Sequence, residues 1–485
     1  MNKRFTTLMT TLILRVFICN YVYASYDFSV DGFYYTIISE SEHTVEISKN
    51  DDVHYNGNII IQPSVTKYGE TYTVTRIGNG CFSYCEELYT INIPETIDSI
   101  SYNAFFGCKS LKEINIEEKN PYFKSKDGVV FDKTMTKILH FPNMNNEIYR
   151  IPNGVKIVKS YSFVSNDNLK SLTLPSSVTI IESYAFDCQR LNKIQLSEHL
   201  EYIGDYAFSN SLIYGISLPE SLKHIGEYAF NNCKNINNIS FPESLMFIGK
   251  YAFNNCNNIK TIYIPKNVES LSDEGTFGIC LSLERIDVDP DNQYYTSING
   301  ILYNKELTKI LQCPSNNKEL EWITLPKSIT KICINAFNNN KNLTRIVIPA
   351  GVTIIDNDAF YNCSNLNRVT CYANNPPSTP IIEGYENDPW IGSGREKATL
   401  YVPKGSLNEY EYFSYITSQK VIKFPYSRFK EIVEMDEDTG ISPSFIDNND
   451  HIISTYNTIG VKTRSTTNGL NIIKYRNGST KKIIK

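Results

Sequence analysis

The sequence predicts a mostly β fold in which successive turns of the chain stack into a solenoid. Three observations support this: a short phrase recurs about every 23 residues, each copy follows a strand pattern, and one turn has too little apolar surface to fold alone. The phrase is a small residue followed by Phe, often after Ile-Gly-x-Tyr, as in 203–208, 225–230 and 248–253. Its anchor phenylalanines are Phe82, Phe105, Phe163, Phe186, Phe208, Phe230, Phe253, Phe277, Phe337 and Phe360.

The turn at 236–258 shows how one repeat is built. Residues 236–241 alternate enough to form a short strand, and Pro242 ends it because proline has no N–H to donate. Phe253 returns to the interior, and Gly249 is expected to permit a backbone bend before it. One parallel strand per turn predicts one long parallel sheet along one side of the solenoid.

Two gaps between anchor phenylalanines are long enough for extra structure. Residues 120–142 and 292–314 fill them with one shared pattern, in which Asp127-Gly128 and Asn299-Gly300 lie between apolar runs. Such dipeptides are strong signals for two-residue hairpin turns. The sequence therefore predicts two β-hairpins, which we expect to project from the stack.

The cysteines occupy a regular place in the repeat. Of the 12 cysteines, several lie three residues after an anchor phenylalanine, and Cys188 lies two after. Those at the three-residue spacing are Cys85, Cys108, Cys233, Cys256, Cys280 and Cys363. This regularity predicts a ladder of free, buried thiols. Neighbouring thiols would lie about 5 Å apart, which leaves disulfides open as the alternative.

Composition and motifs argue against several function classes. A net charge of −5 without a basic cluster in the repeats disfavours nucleic acid as a partner. The six histidines are scattered and lack the spacing of zinc ligands. Gly392-Ser393-Gly394 lies in a predicted loop, without the setting of a nucleophile elbow, and Asp436 with Asp438 favours a linker over a calcium loop. The sequence therefore predicts no catalysis, no metal site and no cofactor.

Residues 1–24 have the pattern of a secretory signal peptide. Lys3 and Arg4 form a basic start, an apolar stretch runs from residue 8 to 18, and small residues precede the expected cleavage point. A buried first helix is the alternative, because Arg15 interrupts the apolar stretch. No other run approaches the ~20 apolar residues that a membrane-spanning helix needs. The sequence therefore predicts a secreted protein.

The repeats resemble the BspA-like leucine-rich repeats of bacterial surface proteins. The shared pattern is Ile-x-Ile-Pro-x-x-Val-x-x-Ile-Gly-x-x-Ala-Phe-x-x-Cys-x-x-Leu; residues 262–268 carry its first part and 248–256 its second. The resemblance covers 71–372 and implies a leucine-rich-repeat solenoid with capped ends. Residues 68–75 resemble the opening hairpin of that family, and 374–432 resemble its closing cap.

The last segment is similar to the C-terminal sorting domains of Bacteroidetes proteins exported by the type IX secretion system. It consists of short strand patterns separated by Gly or Asn turns. The resemblance implies that the tail directs passage across the outer membrane; a small β-sandwich without an export role is the alternative. The predicted domains are a signal peptide at 1–24, an N-terminal capping region at 25–70, the solenoid at 71–372, a C-terminal cap at 373–435, and a linker with the sorting domain at 436–485.

The outward side chains of the strands form the candidate ligand face. They vary from turn to turn while the inward ones do not, as expected if one face holds the fold and the other recognises a partner. A merely solvated face would show the same variation. The central outward positions are Asn92, Asn115, Thr173, Gln195, Ser217, Ser240, Tyr263, Asp287, Val347 and Thr370. Lys260 and Arg285 join Tyr263 and Asp287 as the side chains best suited to contacts.

These features predict a secreted or cell-surface interaction protein, adhesin-like, that binds host or microbial proteins or glycoproteins through the solenoid surface. The family resemblance implies the surface location and the adhesion, whereas the repeats themselves imply an extended binding face. The alternatives are a carbohydrate-binding surface module, a structural surface-layer protein and, with least support, an enzyme. Exposed aromatic residues aligned along one face would favour the carbohydrate-binding alternative.

Overall fold

The computed structural model describes residues 26–144, 146–186, 188, 190–380, 388–411, 414–416, 421–423, 425–435, 452–456, 462–463, 470–475 and 480–484. The predicted signal peptide and the acidic linker lie outside these described residues. The chain divides into two compact units, residues 1–190 and 191–485. In the described part of the chain, no helix has the length and apolar character needed to cross a membrane.

All helices and strands of the first unit, in its described residues, are strands, and turns connect them. The strands are β1 (Phe28–Val30), β2 (Phe33–Ser39), β3 (Thr44–Ile47), β4 (Gly57–Ile60), β5 (Ser64–Lys67), β6 (Glu70–Ile77), β7 (Leu88–Ile93), β8 (Ser99–Ile100), β9 (Glu113–Ile116), β10 (Phe123–Lys126), β11 (Val129–Asp132), β12 (Lys137–His140), β13 (Ile148–Arg150), β14 (Ile157–Val158), β15 (Ser171–Thr173) and β16 (Ile180–Ile181). The N-terminal sheet has the order β1-β2-β3-β6-β5. Parallel pairing then dominates, with β4-β7-β9, β13-β15 and β12-β14-β16.

The second unit continues the same construction and adds one short α-helix, α1 (Leu407–Glu411). Its strands are β17 (Lys193–Gln195), β18 (Tyr202–Ile203), β19 (His224–Ile225), β20 (Phe247–Ile248), β21 (Thr261–Ile264), β22 (Ser270–Leu271), β23 (Arg285–Val288), β24 (Tyr295–Ile298), β25 (Ile301–Asn304), β26 (Lys309–Gln312), β27 (Trp322–Thr324), β28 (Lys331–Ile332), β29 (Arg345–Ile348), β30 (Ile354–Ile355), β31 (Arg368–Cys371), β32 (Thr399–Val402), β33 (Ser414–Ile416), β34 (Val421–Lys423), β35 (Glu431–Glu434), β36 (Ile452–Tyr456), β37 (Lys462–Thr463), β38 (Leu470–Tyr475) and β39 (Thr480–Ile484). Parallel ladders run β18-β19-β20-β22, β21-β23, β26-β28-β30 and β27-β29-β31-β32-β35. The described strands of the tail, where a small β-sandwich was expected, form one antiparallel sheet in the order β37-β36-β38-β39.

The predicted mostly β solenoid of stacked parallel turns is confirmed, and most turns contribute two strands to it. Long strands such as β21 and β29 lie where the sequence predicts them. Two-residue strands such as β19 and β20 form a second parallel ladder after the proline. The long-strand ladder is interrupted at 212–218 and 236–241, which form no strand although Ile236 and Phe241 are buried. Strands disfavour Gly and Asn, and Gly215 lies in the first segment whereas Asn237 and Asn238 lie in the second.

The anchor phenylalanines stack along the core of each unit. Phe208, Phe230 and Phe253 are fully buried, and their rings follow one another at 5.2 Å with interplanar angles of 10° and 9°. Near the end of the solenoid Trp390 stacks on Phe360 at 4.1 Å. The indole therefore takes the next place in the stack and covers the last phenylalanine of the repeats.

The chain turns around most of the anchor phenylalanines through two left-handed residues. Tyr228 has φ 54° and Asn232 has φ 62°, an unusual conformation for residues other than glycine. The N–H groups of Tyr228, Phe230 and Asn232 each donate to a carbonyl oxygen of the next turn, at 2.8 Å in every case. These bonds form a third line of contacts between turns and hold the left-handed residues in place.

The glycine of the repeated phrase has a different role from the predicted one. Gly226 and Gly249 do not adopt left-handed φ, so a special bend does not explain them. A Cβ built on Gly226 would lie 2.6 Å from the backbone nitrogen of Asp205, and one on Gly249 would lie 2.5 Å from that of Glu227. Glycine is needed because the neighbouring turn lies too close for any side chain.

Both predicted hairpins form, but they fold onto the stack instead of projecting from it. Asp127 and Asn299 have φ 52° and 54°, and each is followed by a left-handed glycine, as a type I′ turn requires. The carbonyl oxygen of Gly300 accepts a hydrogen bond from Ile286 at 2.9 Å. Strands β11 and β25 are apolar on both faces and almost entirely buried, so projection would expose them to water.

The repeat cysteines are free thiols that bond to the preceding turn. The Sγ of Cys256 donates to the carbonyl oxygen of Phe230 at 3.2 Å, and that of Cys280 donates to the carbonyl oxygen of Phe253 at 3.1 Å. The equivalent place in other turns holds Asn340 or Ser211, whose side chains also donate to backbone carbonyls. Burial raises the pKa of Cys280 to about 12, so this thiol stays protonated at neutral pH. The repeat therefore needs a small buried donor at this position.

Replacing Gly226 with alanine should destabilise the second unit by about 1–3 kcal/mol, because the added Cβ overlaps the backbone of Asp205. Gly215→Ala is the matched control, since a Cβ there meets no atom within 4 Å. Urea unfolding followed by circular dichroism measures both variants. Equal stability of the two variants would contradict the close contact between turns.

At Cys256, serine should be tolerated better than alanine by about 1 kcal/mol, because serine retains a donor for the Phe230 carbonyl oxygen. Both side chains are close to cysteine in size, so packing changes little between the two variants. Thermal and urea unfolding of C256S and C256A give the comparison. An alanine variant as stable as the serine variant would show that the thiol acts only as an apolar filler.

Candidate interaction surface

The outward side of the long strands is the candidate surface. Alternate side chains of a strand point to opposite faces, so one set fills the core and the other faces solvent. In β21, for example, Ile262 and Ile264 are buried whereas Thr261 and Tyr263 are exposed. Parallel partners on both sides satisfy the backbone of inner strands such as β29, so only side chains are available for recognition.

The predicted residues of the first unit lie on separate sheets. Asn92 in β7 and Asn115 in β9 are direct partners across neighbouring strands, and both are half-buried. Thr173 lies in β15 opposite Arg150 of β13. The asparagine pair is therefore a short polar segment. Beside it, the Thr90 hydroxyl donates a hydrogen bond to the side-chain oxygen of Asn58 at 2.9 Å.

In the second unit, three predicted residues are exposed, but their small or isolated polar side chains form no cluster that could contact a ligand together. Gln195 ends β17, whereas Ser217 and Ser240 lie in the two segments that form no strand. Tyr214, which lies near Ser217, is 62% exposed and is the largest apolar group in this region. These positions agree with the predicted outward orientation without forming a cluster.

The structure brings Lys260, Tyr263, Arg285 and Asp287 together. Tyr263 and Asp287 are direct partners across β21 and β23, and Arg285 lies two residues before Asp287. The Arg285 guanidinium donates to both carboxylate oxygens of Asp287, at 2.7 and 2.6 Å. Lys260 is exposed just before β21. This group combines an aromatic ring, a neutralised ion pair and a lysine on one patch.

Hydrogen bonding sets the charge state of this patch. Tyr263 donates its hydroxyl to the Asp289 carboxylate at 2.7 Å, and this bond is the main reason that the pKa of Tyr263 rises to about 12. The same bond lowers the pKa of Asp289. The bond to Asp287 raises the pKa of Arg285 further. At neutral pH the patch therefore presents a neutral phenol beside paired charges.

A second cluster on the same face was missed by the sequence analysis. Trp322, Arg345 and Arg368 are direct partners across β27, β29 and β31, and Tyr401 follows in β32. All four side chains are half-buried. They could have been found from the sequence, because Trp322, Arg345 and Arg368 each directly precede the first apolar residue of their strand, as Arg285 does.

Two central outward positions differ from expectation. Val347 is half-buried, and Thr370 is only 6% exposed, so its side chain is covered although strand alternation places it on the outward face. Tyr401 is the direct partner of Thr370 in the next turn and brings a much larger side chain to that position. The central position is therefore accessible to solvent in most turns but covered in the last one of the repeats.

Partly exposed aromatic residues align along the second unit, but they cover one another. The rings of Tyr206 and Tyr228 stack at 4.6 Å with an interplanar angle of 7°. Those of Tyr202 and His224 stack at 4.4 Å, and His224 stacks in turn on Phe247. Because each ring covers the face of its neighbour, these columns present ring edges to solvent. Their alignment therefore stabilises the stack and leaves little ring face for a sugar.

The described residues offer no arrangement suited to catalysis. Ser393 accepts a hydrogen bond from the Arg395 backbone nitrogen at 3.3 Å and thereby caps a short 3₁₀ helix, Gly394–Lys397. No group of three or more potential metal ligands occurs in the part of the chain that is described. A small cavity beside His140 has room for about one water molecule, and burial lowers the pKa of His140 to about 4. The residues Asp436 and Asp438 lie outside the described part.

Comparison with known families gives one match. The profile described as "BspA type Leucine rich repeat region" matches residues 62–150, 127–225, 201–311 and 293–377. These segments overlap and together cover well over half of the chain. The comparison with curated proteins found no match.

Solved structures with similar chains include proteins described as leucine-rich. A leucine-rich cell surface protein from Faecalibacterium prausnitzii A2-165 is 23% identical, with 71% of this chain and 94% of that chain covered and a TM-score of 0.42. The pneumococcal vaccine antigen PcpA is 17% identical, with coverages of 84% and 98% and a TM-score of 0.39. A leucine-rich repeat protein from Bacteroides ovatus ATCC 8483 is 24% identical, with coverages of 71% and 94% and a TM-score of 0.34.

Proposed function

The chain belongs to the BspA-type leucine-rich repeat family, and we propose that it is a secreted or cell-surface interaction protein that binds a protein or glycoprotein partner without catalysis. The outward face of the long strands carries this proposal. Its side chains change from turn to turn, as with Gln195, Tyr263 and Arg285, while the inward side chains repeat. Residues that do not hold the fold are available for recognition.

An adhesin-like role with a host or microbial partner follows from the family's association with bacterial surfaces. A long repeat surface suits an extended partner, because each turn adds another row of outward side chains. Tyr263 and Arg285 are of the residue types that contribute most to protein interfaces. Their patch in the second unit is therefore the first region of the predicted face to test.

A pull-down with the full chain against host matrix proteins and mucins tests the role. A variant with Gln195, Tyr263 and Arg285 all changed to alanine should capture its partner at least tenfold less, because outward contacts are removed while the core is kept. The matched control changes three exposed residues beside the short strands, Glu201, Lys223 and Met246, to alanine. Equal loss in both variants, or no captured partner with the unaltered chain, would contradict this proposal.

We also propose that the tail at 436–485 directs export across the outer membrane, in keeping with its similarity to sorting domains. Deletion of these residues should leave the protein in the periplasm, because the address would be lost while the repeats still fold. Cell fractionation and surface labelling of the producing bacterium measure the distribution. Unchanged surface display of the deleted chain would refute the sorting role and leave the binding role untouched.

A further inference from the structure

We propose that the cavity beside His140 makes the first unit sensitive to acid. A proton taken up by the imidazole would find no group in the cavity that is placed to bond it or to neutralise its charge. The turn that carries His140 would then loosen from the stack. This inference concerns the integrity of the first unit, so it stands or falls independently of the partner that the outward face binds.

His140 lies at the point where the stack of anchor phenylalanines is interrupted. Phe105 and Phe163 are successive anchors, and the hairpin at 120–142 lies between them. Strand β12 ends at His140, whose imidazole meets the ring of Phe105 edge to face at 5.2 Å. The next residue, Phe141, stacks on Phe163 at 4.7 Å. His140 is only 7% exposed, so an imidazole occupies a place in the core that other turns fill with phenylalanine.

The cavity gives the imidazole no polar partner. Its walls include the apolar side chains of Leu111, Ile114 and Phe141, and it has room for about one water molecule. Ser162 also lines it, and the buried hydroxyl of Ser162 has no hydrogen-bond partner in the described part of the chain. The imidazole of His140 likewise forms no hydrogen bond with any described residue. Such a site tolerates a neutral ring, but a buried charge that is neither paired nor bonded is costly.

No carboxylate or cationic side chain of the described residues lines this cavity. The titratable groups that share its wall with His140 are the phenols of Tyr102 and Tyr161 and the thiol of Cys108. Groups of these types are uncharged between about pH 4 and pH 7, and burial raises the pKa of Cys108 to about 12. The Sγ of Cys108 already donates to the carbonyl oxygen of Phe82 at 2.9 Å. None of the three could therefore neutralise an imidazolium ion.

Charged groups on the elements packed against His140 are engaged elsewhere. In β11, the strand paired with β12, Val130 lies opposite His140. Asp132 of β11 accepts hydrogen bonds from the hydroxyls of Thr134 and Thr136. Other charged residues of the neighbouring elements are paired or exposed: Lys109 with Glu86, Lys159 with Glu182, Asp167 beside Lys109, and the exposed Glu113, Lys137 and Lys156. None of these carboxylates is placed to stabilise a protonated His140.

The two states of the chain bind the proton at different pH values. Burial lowers the pKa of His140 to about 4 in the folded chain, whereas the imidazole of an unfolded chain titrates near 6.5. His140 therefore costs the fold no stability above about pH 6.5, and its cost grows as the pH falls toward 4. Between pH 7 and pH 5 the ratio of folded to unfolded first unit should fall about twentyfold from this residue alone.

The second hairpin turn supplies a comparison within the same chain. Strand β26 ends at Gln312 as β12 ends at His140. The next residues, Phe141 and Cys313, each donate their N–H to a carbonyl oxygen of the following turn. Gln312 is 2% exposed, and its amide donates to the carbonyl oxygen of Cys313 at 3.3 Å. Glutamine does not titrate, so the equivalent place in the second unit cannot respond to acid.

Hydrogen exchange of the full chain at pH 7 and pH 5, measured by mass spectrometry and corrected for the intrinsic effect of pH, tests the inference. Peptides from 137–165 should lose about twentyfold in protection factor between the two pH values. Peptides from 309–340, which contain Gln312, should change less than about threefold. NMR titration of the histidine side chains should give His140 a pKa well below its ordinary value.

Two variants assign the effect to the imidazole. H140Q places in the first hairpin turn the residue that the second one already has, so its protection factors should change less than about threefold between pH 7 and pH 5. S162A is the matched control, because it alters the other unpartnered group of the cavity and keeps the imidazole. Its loss of protection should equal that of the unaltered chain. Circular dichroism at pH 7 shows whether each variant folds.

Several results would overturn the inference. They are an unchanged protection factor in 137–165 at pH 5, an equal loss in both units, and a loss in H140Q as large as that in the unaltered chain. An ordinary pKa for His140 in the NMR titration would overturn it as well, whether or not H140Q folds. Failure of the pull-down to capture a partner would leave it untouched.

Discussion

The stacking of successive turns at the spacing of parallel strands is the constraint on which the other features depend. Around Phe230 the backbone N–H donates to the carbonyl oxygen of Ala252 at 2.8 Å, while the ring stacks on Phe253 at 5.2 Å. Both contacts require the next turn to lie about 4.8 Å away and in register. The repeat of about 23 residues is therefore a geometric requirement, since each turn must return the chain to the same place above the last.

This spacing also explains which residues the corner of each turn accepts. Gly226 is required because the backbone of the turn below fills the space of a Cβ. Cys256 suits its place because its thiol is small enough for the core and still donates to the neighbouring carbonyl oxygen. Tyr228 has an unfavourable left-handed backbone, but its N–H bond to the next turn and its stacking on Tyr206 offset that strain.

Because the inward side chains and the corners are committed to stacking, recognition is left to the outward side of the long strands. The charges on that side are arranged differently in two places. Around Arg285 a carboxylate of the same strand pairs with the arginine, whereas Arg345 and Arg368 are direct neighbours on adjoining strands and Arg368 lies over the ring of Tyr401. The same fold can therefore carry different arrangements of charged side chains on one face, without any change in the core beneath them.

The sequence by itself determined the fold class, the family, the hairpin turns at Asp127 and Asn299, and the inward place of the phenylalanines, because all of these follow from local periodicity and turn chemistry. It could not show that most turns contribute a second short strand, that the hairpins fold onto the stack, or that Gly249 is needed for a close contact. Most of the predicted face residues do point outward, yet the cluster with Arg345 and Arg368 was missed, because adjacency of these two residues depends on register between turns. Contacts between residues about 23 positions apart are decided by stacking, and only the tertiary structure sets which of them meet.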